Sequence, residues 1–219
     1  MSHPLKPNFQ TEWYAVAINL LFLLAALFFH FNLPAETPLH WNWAGEADSY
    51  GSPIMAAWFL PILSIILYFF LLFLPKLDPK KDQYQSFRKN YHYFKDLLVT
   101  FLFAIYILSN LTAIGYKINL GLYLPLIVGL FIAIIGFFLR GLKPNWFIGI
   151  RTPWTLSSET VWLKTHLLAQ PIFIISGLLI AGSGFLSIFW KQLLFVLAII
   201  IIVLPLPIYS YILYRKEKR

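Results

Sequence analysis

The chain has 219 residues, of which 59% are hydrophobic, 19% aromatic and only 12% charged. A soluble domain carries roughly 25% charged and 45–50% apolar residues, so this composition excludes an ordinary water-facing surface and suits one that meets lipid. The formal net charge is +8 and cysteine is absent, which excludes disulfides, thiolate chemistry and Cys-ligated metals while leaving the compartment open.

Six apolar runs follow one another: 13–33, 54–74, 97–116, 122–139, 167–190 and 193–214. Each approaches the roughly 20 helical residues that a hydrocarbon core about 30 Å thick requires. Alternating segments of the kind that build a membrane β-barrel are not seen in the sequence. The expected fold class is all-α: a polytopic integral membrane protein, a bundle of six transmembrane helices. The first run is too long for a secretory h-region, follows Glu12 directly and has no small-x-small cleavage pattern, so it reads as a mature helix.

Lysine and arginine set the expected orientation. Of the 17, all but Lys117 and Lys191 fall on one side. They are Lys6 before the first run, six in a basic loop 76–96, Arg140, Lys143, Arg151 and Lys164 after the fourth run, and the tail 215–219. Both termini and these basic segments are therefore expected in the cytoplasm, and topology explains the charge without nucleic acid. Within the spans, Gly177, Ala181 and Gly184 form a small-residue stripe suited to close helix contact. Pro61, Pro171 and Pro205 are tolerable there, and Trp13, Trp58 and Trp190 suit an interfacial belt. Asn19 and Asn110 suit interhelical hydrogen bonds. Glu12 and Asp96 sit at span edges, so the intramembrane carboxylates typical of ion pathways are not evident.

Two connections are richer than a connector needs. The first, 33–53, carries Pro34, Pro38 and Pro53 with Gly45 and Gly51, which predicts a chain held in defined turns. Trp41, Trp43 and Tyr50 can enter the interface while His40, Asn42, Glu46 and Asp48 face water. The loop is acidic without lysine or arginine, so it favours a cationic ligand. Imidazole and carboxylates can ligate zinc or manganese, but no paired-histidine spacing supports a metal, and a capped interfacial turn explains the same residues. The second connection, 140–166, is broken by Gly149 and Pro153. Ser157 or Ser158 before Glu159 predicts a helix N-terminus. Arg151, Lys164 and His166 are candidates for holding an anion, against a plainer reading as interfacial anchors. No phosphate loop, metalloprotease histidine pair or nucleophile elbow is found; catalytic residues, metals and cofactors are not expected.

At these two connections the chain resembles the SdpI family, bacterial immunity proteins named for resistance to a secreted sporulation-delaying toxin. The first resembles the family's amino-terminal pattern Pro-x-x-x-Pro-x-His-x-Asn-x-x-Gly-x-x-Asp through Pro34, Pro38, His40, Asn42, Gly45 and Asp48. Where members often continue to a lysine, this chain has Ser52-Pro53. The second resembles the carboxy-terminal domain through Asn145, Gly149, Arg151, Thr152, Trp154, Trp162, Lys164 and His166. The organisation expected is an amino-terminal two-helix domain over 13–75, the basic loop 76–96, and a four-helix domain over 97–214.

The resemblance implies a non-enzymatic protein of the bacterial cell membrane that protects its host against a membrane-active peptide toxin. In the best-known system of the family, the toxin-bound protein also holds a small cytoplasmic transcriptional repressor at the membrane. The binding residues it implies are Pro38, His40, Trp41, Asn42, Gly45, Glu46 and Asp48 outside, with the second-connection set inside. A different class, a membrane transporter or an enzyme acting on a lipid or small anionic solute, stands as the alternative.

Overall fold

A computed structural model describes residues 3–219. Among these residues, six helical segments are long and apolar enough to cross a membrane. They are α1 (Phe9–Asn32), α2 (Pro53–Leu77), a 3-10 turn Lys81–Phe87 running into α3 (Arg88–Ala113), α4 (Leu120–Leu139), α6 (Glu159–Ser183), and α7 (Ile188–Val203) with α8 (Pro205–Glu217). A short α5 (Pro153–Ser157) lies in the second connection. The chain is a multi-pass membrane protein with an all-α bundle.

Local chemistry sets the helix ends. Asn8 and Thr11 form a reciprocal capping box at the start of α1, and α1 stops before Leu33-Pro34, where the residue preceding proline is driven out of helical geometry. Ser52 caps α2, with Pro53 in the first turn where its missing N–H costs nothing. Pro205 divides the last span, ending α7 at Val203.

Several boundaries differ from those predicted. The segment 76–96, expected as a loop, is helical from Lys81 onward because Tyr84, Phe87, Tyr91 and Lys95 are buried side chains at its start. The helix expected to start at Ser157 or Ser158 does so, with Ser158 as the cap before Glu159, and it joins the apolar run expected from 167 in a single helix in which Thr165 and His166 are buried. It closes at Gly184. The first connection is more regular than turns alone: it holds an antiparallel hairpin, β1 (Thr37–Trp41) and β2 (Ala47–Gly51).

Two packing arrangements organise the bundle. In the first, α1, α2 and α3 meet around Phe22, Phe29, Ala57 and Tyr106. Phe22 lies edge-on to Phe103 with ring centres 5.0 Å apart, and the Tyr106 hydroxyl donates to the Ala57 carbonyl at 3.0 Å. In the second, α4 and α6 pack backbone to backbone. A Cβ on Gly129 would strike Gly177 and Ala181, and one on Gly177 would strike Ala133. Lipid tails give helices no hydrophobic reason to associate, so such small-residue contacts and interhelical hydrogen bonds must hold the bundle. Ser64 supplies one by donating to Asn19 Oδ1 at 2.9 Å, whereas Asn110 turns back to the Tyr106 carbonyl of its own helix.

Candidate functional site

At one end of the bundle the hairpin is built around Asn42. Its side-chain oxygen accepts the amides of Ala44 (2.9 Å) and Glu46 (3.1 Å), and its amide donates to Glu46 Oε2 at 3.3 Å. Gly45 has φ +82°, and a Cβ there would collide with the backbone of Gly121 at the start of α4. Glycine is needed twice over, for the turn and for the approach. Thr37 is buried at the base of β1 and donates to the Pro34 carbonyl at 2.6 Å.

This seating places His40, Trp41, Asn42, Trp43 and Asp48 over a cavity of about 430 Å³, whose floor includes Leu124, Val128, Ile180 and Phe195. That volume falls within the roughly 300–1,000 Å³ of ligand pockets. The His40 ring Nδ1–H donates to Asp48 Oδ1 at 2.5 Å at the exposed rim. Trp43 meets Phe195 edge-on at 5.3 Å. Lys191, almost fully buried, donates to the carbonyls of Trp43 (3.1 Å) and Gly121 (2.6 Å), pinning the hairpin to α4 and α7. Of the outer candidates, His40, Trp41, Asn42 and Asp48 line the cavity. Pro38 and Gly45 shape the hairpin, and Glu46 is engaged by Asn42. Lys191 is the residue that sequence reasoning passed over. Its position, one of two lysines off the basic side and set between the fifth and sixth apolar runs, was the available signal.

At the other end, the second connection is also organised by an asparagine. Asn145 is fully buried; its oxygen accepts the amides of Phe147 (2.9 Å) and Ile148 (2.7 Å), and its amide donates to the carbonyls of Lys143 (3.0 Å) and Ile148 (2.9 Å). Gly149 adopts φ +111°, with His166 and Trp162 against it. His166 accepts the Ile150 amide on Nε2 (3.0 Å) and donates from Nδ1 to the Trp162 carbonyl (2.8 Å), which fixes a neutral tautomer. It stacks on Trp162 at 4.2 Å, and the Trp162 indole donates to the Leu142 carbonyl at 2.8 Å. Thr152 caps α5, reciprocally with Thr155, and reaches Ser210 on α8 at 3.0 Å. Trp154 packs on Tyr211 with ring centres 5.0 Å apart. Arg151 and Lys164, both exposed, line different cavities. The three suggested anion-holding residues are therefore not gathered at one point: His166 is committed to the loop and the two cations face apart.

Asp78, at the exit of α2, ties the halves together here. Its carboxylate accepts the Tyr84 hydroxyl (2.9 Å), the Lys80 amide (2.7 Å) and the Trp146 amide (2.9 Å).

A further group was missed. Glu12 is buried and accepts from Lys95, from the Tyr68 hydroxyl at 3.0 Å and from the Thr11 hydroxyl at 3.0 Å, with His92 Nδ1 3.5 Å away. His92, Lys95 and Asp96 share one face of α3 by their three- and four-residue spacing. That spacing, read together with Glu12, was the signal. Among the described residues, no cluster of His, Asp and Glu has the geometry to hold a metal ion.

Residues 141–210 match the model of the SdpI/YfhL protein family, and residues 17–65 match a domain of unknown function (DUF1648). The first match covers the Asn145–His166 loop and the second the whole hairpin. The chain is 26% identical to the immunity protein SdpI of Bacillus subtilis (strain 168) over 204 residues, 93% of this chain and 94% of the relative. No solved structure matches the chain significantly. The loop-bearing part of the chain thus matches the SdpI/YfhL family model, and the likeness to an immunity protein runs almost end to end.

Proposed function

We propose that this protein is a non-enzymatic membrane immunity protein that protects the cell carrying it against a secreted membrane-active peptide toxin. The observation that carries the reading is the likeness to an immunity protein along 93% of the chain. The basic side of the bundle faces the cytoplasm in this proposal, with both termini, and the hairpin end faces outward. The toxin docks on the hairpin. An apolar side chain enters the cavity beneath Trp41 and Trp43, and a cationic group meets the acidic rim at Asp48 and Glu46. His40 holds Asp48 in place and Asn42 holds the turn. The rigid loop around Asn145 is the face offered to a small cytoplasmic repressor in the signalling role. That step requires two bundle states with different toxin affinity.

The test is survival of a toxin-sensitive bacterium challenged with the sporulation-delaying peptide while expressing this chain. A Trp41→Ala/Asp48→Asn variant and an empty vector run beside it. Protection by the wild type, lost in the variant at equal membrane abundance, is the expected result. Protection that survives the double substitution overturns the docking site, and no protection by the inserted wild type overturns the immunity reading for this toxin.

A further inference from the structure

A second cavity, of about 430 Å³, lies at the opposite end from the hairpin, on the seam where α2 and α3 meet α4 and α6. Its walls are apolar, with Phe70, Phe94, Phe138 and Phe173 contributed by those four helices in turn. Phe70 is 54% exposed on the bundle's outer surface, so the cavity opens sideways, toward the lipid. The polar ends within it are mostly spent inward: the Tyr91 hydroxyl donates to the Leu71 carbonyl, and Asn90 reaches the Phe138 carbonyl at 3.4 Å.

Arg151 sits at the same cavity and is different. Its guanidinium makes one hydrogen bond, from Nη1 to the Trp146 carbonyl at 2.5 Å. Among the described residues no carboxylate lies within ion-pair distance of it. A guanidinium carries five N–H donors in a fork that matches phosphate, so most of this one's capacity is free. An apolar chamber open to the bilayer, with an unpaired arginine fork beside it, has the chemistry of an acyl chain below an anionic headgroup.

We infer that this seam is a specific site for one phospholipid with an anionic headgroup. The acyl chain lies between the four phenylalanines and the headgroup phosphate is held by Arg151. Such a lipid would be a bound component between the two halves of the bundle, distinct from the exchanging shell around it, and its presence is independent of toxin protection.

The experiment is native mass spectrometry of the full-length chain, delipidated in detergent and supplied with phosphatidylglycerol or phosphatidylcholine. Arg151→Gln and Ile135→Trp, the second filling the chamber from α4, are compared with wild type after thermal unfolding confirms that each is folded. The wild type is expected to retain one phosphatidylglycerol under activation that strips other lipid. Arg151→Gln should weaken retention on the order of tenfold, the loss of charge-assisted hydrogen bonds, and Ile135→Trp should abolish it. Equal retention of the two lipids, or retention unchanged in both variants, overturns the site. Loss in Ile135→Trp alone overturns the headgroup assignment to Arg151.

Discussion

Replacing Lys95 with methionine tests how much of the first three-helix unit hangs on one buried ion pair. Methionine keeps much of the stem that packs among Tyr68 and Glu12 and removes the ammonium. The Glu12 carboxylate keeps two hydroxyl donors, Tyr68 and Thr11, each at 3.0 Å, and loses its one lysine partner. Removing one partner of a buried pair costs about 3–5 kcal/mol, and the two retained hydrogen bonds place this loss at the lower end, about 3 kcal/mol. For a chain of this size that corresponds to a fall in Tm of about 6–12 °C. The double variant Glu12→Gln/Lys95→Met removes both charges and leaves an amide that still meets the two hydroxyls. It should recover most of the loss, to within about 1 kcal/mol of wild type. Wild type, Glu12→Gln, Lys95→Met and the double variant, purified in one detergent and followed by tryptophan fluorescence on heating, supply the cycle. If the double variant melts lower than Lys95→Met, the pair does not act as a unit and the reasoning fails. A fall below about 2 °C for the single variant would show that the charge reaches water despite its burial.

Gly149→Ala should cost more than an ordinary loop substitution, about 2 kcal/mol or more, because φ +111° strains any side chain and the new Cβ would meet His166 Nε2 at 2.5 Å. Thermal unfolding measures it, and a change under 0.5 kcal/mol would contradict the described turn. Lys191→Met should free the hairpin from α4 and α7 while leaving the helices intact. Hydrogen exchange of the amides at 42–46 is then expected to rise on the order of a hundredfold, from the loss of two charge-assisted hydrogen bonds. Unchanged exchange there would show that the Gly45–Gly121 contact alone seats the hairpin.

The spans were legible because six long apolar runs have no other use in a chain with 12% charge. Their ends were less so, and for a common reason. Lys95, Thr165 and His166 are polar residues whose side chains are buried, so the apolar runs begin later than the helices that contain them. Gly45 and Gly149 stood out as turn formers and each sits in a turn, whereas Asn42 and Asn145, which organise those turns, stood out only through the family pattern. What the turns are fastened to was beyond local pattern: Lys191 and Trp43 are 148 positions apart, and Glu12 and Lys95 are 83 apart. The hairpin was hidden because β1 and β2 are five residues each and carry Pro38, Asp48 and Gly51, residue types that depress strand propensity.

Asp78 has a consequence for how the protein is made. Its partners Lys80 and Tyr84 follow it within a few residues, but the Trp146 amide lies 68 positions later. At synthesis rates of about 5–20 residues per second, that amide emerges roughly 3–14 s after the carboxylate. In that interval the end of α2 holds an acceptor with capacity to spare at the membrane edge. The nascent Asn145 turn, once formed, presents an N–H to fill it. In the folded chain this bond forms only when both connections lie at the same end of the bundle, so a carboxylate on the wrong side of the bilayer would leave the place unfilled.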